Sequence, residues 1–206
     1  MEGRKVYWAG DLFNFKDLLG NRLLCEAFNK AARGRWYAVL PQESESNALR
    51  SSQIRDDDLE NLFTSEALVA NFDGTDLDSG TVVEFCYGKF LDLPTVLLRT
   101  DFRKNGDQDT GEDPWNLMCS SYPRTEVLCI HSMKELHQKT MPEFLGSLAQ
   151  RIVEKLDKAA ALPRLTTDFE TEAAAFRRAV ISAGASMPER FSEARIRSIL
   201  QKRFEK

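Results

Sequence analysis

The sequence predicts an α/β sandwich with a five-stranded, mostly parallel sheet, followed by a C-terminal helical extension. Short apolar runs of strand type alternate with segments of helical spacing, which is the pattern of strands joined by crossover helices. The chain has 206 residues, enough to bury a sizeable core, and the strand pattern ends near residue 161. These observations divide the chain into a predicted α/β domain, residues 1–162, and a helical extension, residues 163–206.

The predicted strands are five short runs rich in β-branched, aromatic and aliphatic residues. They lie at residues 6–9, 36–40, 67–72, 95–99 and 127–130. Apolar residues at helical spacing predict helices at about 12–31, 54–63 and 81–91, and a further helix from the fifth strand to about 161. In the extension, Pro163 and Pro188 bracket two predicted helices, at about 167–183 and 188–204.

Two connections in this pattern differ from the others in length and polarity. A polar stretch, residues 42–52, precedes the second helix, and a long loop rich in Asp, Gly and Asn, residues 101–114, follows the fourth strand. Loops of about 12–15 residues without secondary structure are uncommon and are often functional. We therefore expect the loop 101–114 to act as a lid.

The charge of the chain excludes some classes of partner. With 28 Lys and Arg against 32 Asp and Glu, the formal net charge is −4, which offers no basic field for duplex DNA. Residues after Arg164 are basic and residues 43–78 are acidic, and charge on helix surfaces explains both. The sequence has neither the ~20 consecutive apolar residues of a membrane span nor a signal peptide. We expect no nucleic-acid or membrane partner and a cytoplasmic location.

The cysteines and histidines predict neither a zinc site nor serine-protease or metallohydrolase chemistry. No C-x-x-C pair occurs, and neither of the two histidines, His131 and His137, lies near a plausible nucleophile in sequence. The cysteines are predicted to be free, buried thiols, at Cys25, Cys86, Cys119 and Cys129. No metal and no cofactor are expected.

The densest polar cluster, residues 71–84, directly follows the third predicted strand. Ligands of parallel α/β sheets bind beyond the carboxyl ends of the strands, so a site is expected here. A purely structural interpretation is a turn and a helix start, with Asp78 or Ser79 as the cap and Thr81 with Glu84 as a capping box. That interpretation explains Glu84 poorly, because apolar residues flank this carboxylate on both sides.

Two catalytic interpretations of the cluster are also open. Residues 72–75, Phe-Asp-Gly-Thr, resemble the phosphatase signature of the haloacid dehalogenase family, but Asn71 occupies the position of its nucleophilic aspartate. In the other interpretation, Asp78 and Glu84 face one cleft as a pair of carboxylates. Glycosidic bond cleavage uses such a pair, in which one carboxylate attacks the anomeric carbon and a second group handles the leaving group's proton.

Three motifs resemble the nucleoside 2-deoxyribosyltransferase family, in the family's order, over about residues 4–160. They are Val-Tyr-Trp-Ala-Gly-Asp-Leu-Phe at 6–13, Asp-x-Gly-Thr-x-x-Glu-x-x-Tyr-Gly at 78–88, and Asn-Leu-Met at 116–118. The resemblance implies a flavodoxin-like (Rossmann-like) three-layer sandwich with residues 1–162 as the catalytic domain. It also implies an enzyme of nucleoside salvage that moves a 2-deoxyribosyl group between nucleobases with net retention, through a covalent glycosyl-glutamate intermediate.

The same resemblance assigns the catalytic roles. Glu84 would be the nucleophile, and Tyr7 would donate a hydrogen bond that orients its carboxylate. Asp78 would contact the nucleobase and transfer its proton, so that the base leaves neutral. The substrates would be a 2′-deoxynucleoside and a free nucleobase, with no cofactor.

Five further positions are implied to bind substrate, namely Gly10, Asp11, Glu66, Asn116 and Met118. The turn with Asp11 would line the base pocket, and Glu66 falls at an acidic family position that is usually Asp. A solvated carboxylate at a helix end is an equally good interpretation of Glu66. Asn116 would reach from a neighbouring subunit to the sugar 5′-hydroxyl, which implies a homo-oligomer.

Two alternatives to the transferase are open. Related hydrolases cleave 2′-deoxynucleoside 5′-monophosphates with the same glutamate and hold the phosphate with small hydroxyl residues near the Asn116 position, where Ser120 and Ser121 lie. The other alternative is a binding module that keeps the fold, has lost the chemistry and engages a partner through its basic tail. The presence of all three predicted catalytic residues argues against such a module.

Overall fold

The computed structural model describes residues 3–44, 50–104, 106–109 and 111–205, and its centre is a parallel sheet. Five strands form within these residues: β1 Arg4–Ala9, β2 Trp36–Val39, β3 Ala67–Asn71, β4 Thr95–Arg99 and β5 Thr125–Cys129. They lie in the order β2-β1-β3-β4-β5, with every neighbouring pair parallel. This is the flavodoxin-like order, so the predicted five-stranded parallel sheet is confirmed, with β5 starting two residues earlier than predicted.

Helices connect the strands and form the extension. They are α1 Phe15–Ala32, α2 Pro41–Ser44, α3 Ser51–Phe63, α4 Ser79–Phe90, α5 Ser132–Leu136, α6 Met141–Ala161, α7 Phe169–Ala183, α8 Met187–Arg190 and α9 Glu193–Phe204. The single helix predicted after β5 is wrong, because Thr140 starts a second helix with a capping box to Glu143. The last predicted helix is likewise divided into α8 and α9, and the Ser192 side chain caps α9.

Apolar side chains cover both faces of the sheet, as parallel strands require. On one face, α1 and α6 pack against the strands through residues such as Phe28 and Ile152. On the other face, α3 and α4 pack through residues such as Leu62 and Phe85. The three-layer α/β sandwich is therefore confirmed. In the polar stretch 42–52, residues 45–49 lie outside the described residues.

The extension packs on the α3–α4 face of the sandwich. The rings of Phe176 and Phe191 lie with their centroids 5.8 and 5.7 Å from that of Phe63 on α3. Arg203, buried in the last turn of α9, donates hydrogen bonds to the carbonyl oxygens of Phe63 at 2.8 Å and Ser65 at 2.6 Å. Helices α7 and α9 thus share one hydrophobic core with α3 and α4.

The acidic and basic segments of the sequence meet in the structure. Arg190 pairs with Asp57 at 2.5 Å and with Glu60 at 2.7 Å, and Arg195 pairs with Glu60 at 2.6 Å. These side chains are partly exposed. Some of the charged side chains that were expected to face solvent on helix surfaces therefore form ion pairs with one another.

Three further features of the described residues bear on the sequence predictions: the state of the cysteines, the apolar character of the helices and the grouping of possible metal ligands. All four cysteines are free, with Cys25 and Cys119 buried as predicted, whereas Cys86 is half-buried and Cys129 is exposed. In the part of the chain that is described, no helix combines the length and apolar character needed to span a bilayer. Nor do the described residues gather three or more acid, histidine or cysteine side chains in a metal-binding arrangement.

Candidate active site

The carboxyl end of β1 and the second turn of α4 bring a tyrosine and a glutamate together. Tyr7 is fully buried in β1, and its hydroxyl donates a hydrogen bond to Oε1 of Glu84 at 2.5 Å. β1 and β3 are neighbours in the sheet, and α4 follows β3 and packs on the face from which Tyr7 projects. Parallel pairing thus joins two residues that are 77 positions apart in sequence.

The surroundings of Glu84 raise its pKa from the ordinary value of 4.5 to about 8. Burial is the largest cause, and the charges of Asp58 and Asp78 act in the same direction. The hydrogen bond from Tyr7 opposes them, because it stabilises the carboxylate. Glu84 therefore exchanges its proton near neutral pH, a property that is common among catalytic carboxyl groups.

Asp78 stands at the start of α4 as its N-cap. Its Oδ2 accepts hydrogen bonds from the backbone N–H of Thr81 at 2.6 Å and from the Thr81 hydroxyl at 2.8 Å. The structural interpretation of Asp78 as a cap is confirmed, whereas the capping box between Thr81 and Glu84 is wrong, because Glu84 is bound to Tyr7. The cap holds the Asp78 carboxylate near Glu84 and Asp11, and the charge of Asp78 raises the pKa of both.

The turn after β1 lies at the same edge of the sheet. Burial raises the pKa of Asp11, and the charges of Asp78, Asp17 and Asp73 add to this effect. At Gly10, a Cβ would lie 3.1 Å from the Cβ of Asn71 at the end of β3. The absence of a side chain at Gly10 therefore lets the ends of β1 and β3 approach closely. Asp11 and Asp78 follow β1 and β3, where the strand order reverses and ligands of such sheets bind.

A further carboxylate, Asp58, acts on Glu84 from α3 and was missed in the sequence interpretation. The packing of α3 against α4 accounts for the place of Asp58. Leu62 lies beside Gly88, and each of these residues comes one helical turn after an acid, Asp58 on α3 and Glu84 on α4. A Cβ on Gly88 would be 3.9 Å from Cδ1 of Leu62. The signal in the sequence is helical spacing, since an acid four residues before Leu62 lies on the apolar face of its helix.

Asn116 and Met118 lie on the loop between β4 and β5. The side chain of Asn116 accepts a hydrogen bond from the backbone N–H of Met118 at 2.9 Å, which caps a short 3₁₀ turn, Leu117–Cys119. Both side chains are exposed, and with Ser79 and Val83 of α4 they line a cleft of about 660 Å³. They stand beside α4.

The loop after β4, with residues 105 and 110 outside the described part, is tied to the turn after β3. Asp73 accepts hydrogen bonds from the backbone and hydroxyl of Thr100 at 2.5 and 2.6 Å and from the backbone N–H of Asp101 at 2.7 Å. The buried Arg99 donates to the carbonyl oxygens of Phe72 and Gly74. Asp73 thus serves to join two loops, which accounts for it without a phosphatase role.

A larger cleft, of about 890 Å³, opens at the same edge between α1 and α6. Asp11, Asp73 and Phe102 line it together with apolar side chains of both helices. Neither this cleft nor the smaller one includes Glu84 or Tyr7 in its lining. We place the reactive centre at the hydrogen-bonded pair, because volume alone identifies no chemistry. Asp11 lines the larger cleft and lies close enough to Asp78 for the charge of Asp78 to raise its pKa.

Glu66 does not belong to this site, and its predicted substrate-binding role is corrected. It precedes β3, and its backbone N–H donates to the carbonyl oxygen of Lys5 near the start of β1. Strands rise about 3.3 Å per residue, so the length of β3 separates Glu66 from the catalytic edge. Its neighbours at a cavity of about 290 Å³ include Arg4 and Arg203.

Comparison with known families agrees with this geometry. The family model described as nucleoside 2-deoxyribosyltransferase matches residues 6–118, which is more than half of the 206 residues and spans Tyr7, Asp78, Glu84 and Asn116. The chain belongs to the nucleoside 2-deoxyribosyltransferase family. A search of curated proteins gave no match.

Three solved structures are similar to this family member. A conserved protein from Enterococcus faecalis V583 is 22% identical, with a TM-score of 0.50 over 76% of this chain and 98% of that chain. The 2-desoxiribosyltransferase from Leishmania mexicana is 18% identical, with a TM-score of 0.48 over 65% and 95%. A 2-deoxyribosyltransferase from Bacillus psychrosaccharolyticus is 18% identical, with a TM-score of 0.44 over 68% and 95%.

Proposed function

We propose that this member of the family transfers a 2-deoxyribosyl group between nucleobases in nucleoside salvage. The observation that carries the proposal is the hydrogen bond of 2.5 Å from Tyr7 to Glu84 at the carboxyl edge of the sheet. An oriented carboxylate with a second acid nearby, here Asp78, is what a double-displacement glycosyl transfer needs. The substrates are a 2′-deoxynucleoside and a free nucleobase.

In the first step, an ionised oxygen of Glu84 forms a bond to C1′ as the bond from C1′ to the base nitrogen breaks. The bonding electron pair leaves with the base, and Asp78 gives it a proton, so that the base departs neutral. Both hydrogen bonds from Thr81 go to Oδ2 of Asp78, and we assign the transferred proton to Oδ1.

In the second step, a nitrogen of the acceptor base attacks C1′ and displaces the Glu84 carboxylate. The proton lost by the acceptor passes to Asp78, which restores the starting state. Each step inverts the configuration at C1′, so the product has the configuration of the substrate. The exposed Asn116 and Met118 fit a role towards the site of a neighbouring subunit in a homo-oligomer.

The alternative is hydrolysis of a 2′-deoxynucleoside 5′-monophosphate by the same glutamate. It needs a group near Asn116 that holds phosphate, and Ser120 is engaged elsewhere. The Ser120 hydroxyl donates to Oδ2 of Asp113 at 2.7 Å and accepts from Nε1 of Trp115 at 3.1 Å. These contacts count against Ser120 as a phosphate ligand, because its hydroxyl already stabilises the loop. Ser121, the other candidate, is exposed.

A chromatographic assay of base exchange tests the proposal. Deoxyinosine with adenine should yield deoxyadenosine and hypoxanthine, and dAMP or dGMP alone should release no free base. Glu84→Gln should abolish exchange while Glu26→Gln, which changes an exposed glutamate paired with Arg22 on α1, keeps it. Exchange by Glu84→Gln would contradict the mechanism, and base release from a monophosphate alone would select the hydrolase.

A further inference from the structure

Four acids on one turn of α3, residues 56–60, face two different elements. Asp56, which is buried, accepts hydrogen bonds at its Oδ2 from the backbone N–H of Ser186 at 3.0 Å and from the Ser186 hydroxyl at 2.5 Å. Arg55 donates to the carbonyl oxygen of Ala183 at 2.6 Å. The beginning of this turn is thus bound to the segment between α7 and α8.

The end of the same turn is bound to α8 and α9. Nη1 of Arg190 donates to Oδ1 of Asp57 at 2.5 Å and to Oε2 of Glu60 at 2.7 Å, and its Nε donates to the Ser186 hydroxyl at 2.9 Å. Nη2 of Arg195 donates to Oε1 of Glu60 at 2.6 Å. Three acids of the turn therefore have partners from the extension.

The fourth acid, Asp58, points in another direction. Successive helical residues are rotated by about 100°, so positions 56 and 60 share a face and position 58 lies about 200° from each. The crossover helices α3 and α4 both run antiparallel to the strands and hence parallel to each other. Because Leu62 lies beside Gly88, the positions one turn earlier, Asp58 and Glu84, are also brought side by side.

We propose that Ser186, Arg190 and Arg195 are positioning residues that fix the rotation of α3 and thereby hold Asp58 beside Glu84. The inference deepens the proposed function, since it gives the extension a part in setting the state of the nucleophile. Partly exposed ion pairs contribute little to stability, so stabilisation alone explains poorly why Asp57 and Glu60 are paired with Arg190 and Arg195. Together with the apolar contacts of Leu62 and Phe63, the network prevents the helix from turning its fourth acid away from α4.

The test is a pH titration of the Glu84 carboxyl carbon by ¹³C NMR, with the signal assigned through Glu84→Gln. Within the described residues, the groups that act on Glu84 are the hydroxyl of Tyr7 from β1 and the charges of Asp78 at the start of α4 and Asp58 from α3. Asp58→Asn should lower the pKa of Glu84 by removing a like charge. Arg190→Met should also lower it, by roughly one pH unit, because Asp58 is released.

Two variants are matched controls for Arg190→Met. Arg177→Met removes an arginine that pairs with Glu193 and Glu170 inside the extension, and it should leave the titration of Glu84 unchanged. Arg190→Lys keeps the positive charge and should restore most of the wild-type titration. A purely structural role of Arg190 would lower the unfolding midpoint without moving the pKa of Glu84 in the folded protein.

A wild-type titration in Arg190→Met would overturn the proposal, and so would an unchanged titration in Asp58→Asn. If Arg190→Met does not fold, Ser186→Ala takes its place with the same criterion, since it deletes one hydroxyl bonded to Asp56. The titration needs no turnover. If the protein catalyses no base exchange, the proposed function is contradicted. The titration of Glu84 can still be interpreted in that case, because it does not depend on catalysis.

Discussion

The Tyr7 hydroxyl acts against the rest of the surroundings of Glu84. Burial and two neighbouring carboxylates favour the protonated form of this side chain, whereas the hydrogen bond favours the carboxylate. Attack on C1′ requires the carboxylate. The rate of the proposed transfer should therefore follow the ionisation of Glu84.

For the wild-type protein, we expect the pH profile of kcat/KM to have a rising limb near pH 8, where Glu84 becomes ionised, and no plateau beyond it, because the leaving base also needs a proton. Tyr7→Phe should move the rising limb to higher pH, because the hydrogen bond that lowers the pKa is lost. At pH 7 the reaction then slows roughly tenfold for each unit by which the pKa increases. A pH–rate profile of both proteins measures this.

Tyr122→Phe is the control for this experiment, because it removes the hydroxyl of a tyrosine whose ring packs on Phe85 with centroids 5.0 Å apart. Its profile should match that of the wild type. A limb that stays in place in Tyr7→Phe, or moves to lower pH, would contradict the role given to the hydrogen bond.

The sequence predicted the position of those candidate site residues that follow strands. Gly10, Asp11 and Asp78 come just after β1 and β3, so the parallel sheet alone places them at one edge. Asp58 required the rotation of α3 relative to α4, which depends on packing between side chains and is not visible in a local motif. Glu66 was misplaced because it precedes its strand, and parallel strands put that position at the opposite edge.

At the scale of elements, the loop after β4 depends on a close approach of two backbones. Gly106 has φ of +96°, and a Cβ there would lie 2.3 Å from the carbonyl atoms of Trp115. Since Trp115 directly precedes Asn116, this contact sets where the 3₁₀ turn begins. The loop is therefore held from within, by its own backbone, as well as by Asp73.

Gly106→Ala should displace Trp115 and Asn116, and we expect base exchange to fall at least tenfold with the sheet intact by circular dichroism. The matched control is Gly111→Ala in the same loop, where φ is +109° but a Cβ would meet nothing within 4 Å. It carries the backbone strain without the clash. Equal activity in the two variants would show that the close approach is unimportant.

The sequence predicted the existence of elements better than their ends. Strands β1, β3 and β4 are largely buried on both faces, so their apolar runs are easy to recognise. The breaks before α6 and α9 were missed because single capping side chains, Thr140 and Ser192, produce them within a continuous helical pattern. Such a break depends on one or two hydrogen bonds of a capping side chain and scarcely changes the periodicity.

At the scale of the whole molecule, Arg203 joins the last helix to the sandwich. Arg203→Met would leave the carbonyl oxygens of Phe63 and Ser65 without this donor, and we expect the free energy of unfolding to fall by about 2–4 kcal/mol. Urea denaturation measures the change. Arg178→Met, at an exposed position of α7, should change stability by no more than about 0.5 kcal/mol. Equal effects in the two variants would contradict the anchoring role.

The anchoring of Arg203 also sets the order in which the protein can mature during synthesis. Its hydrogen bonds join residues 140 and 138 positions apart, whereas the opposite face of the sheet is closed by α6, which ends at Ala161. The α1–α6 face can therefore form while translation continues. The ring of Phe63 remains uncovered until Phe176 of α7 and Phe191 have been made, so a nascent chain offers chaperones an apolar surface until the extension is synthesised.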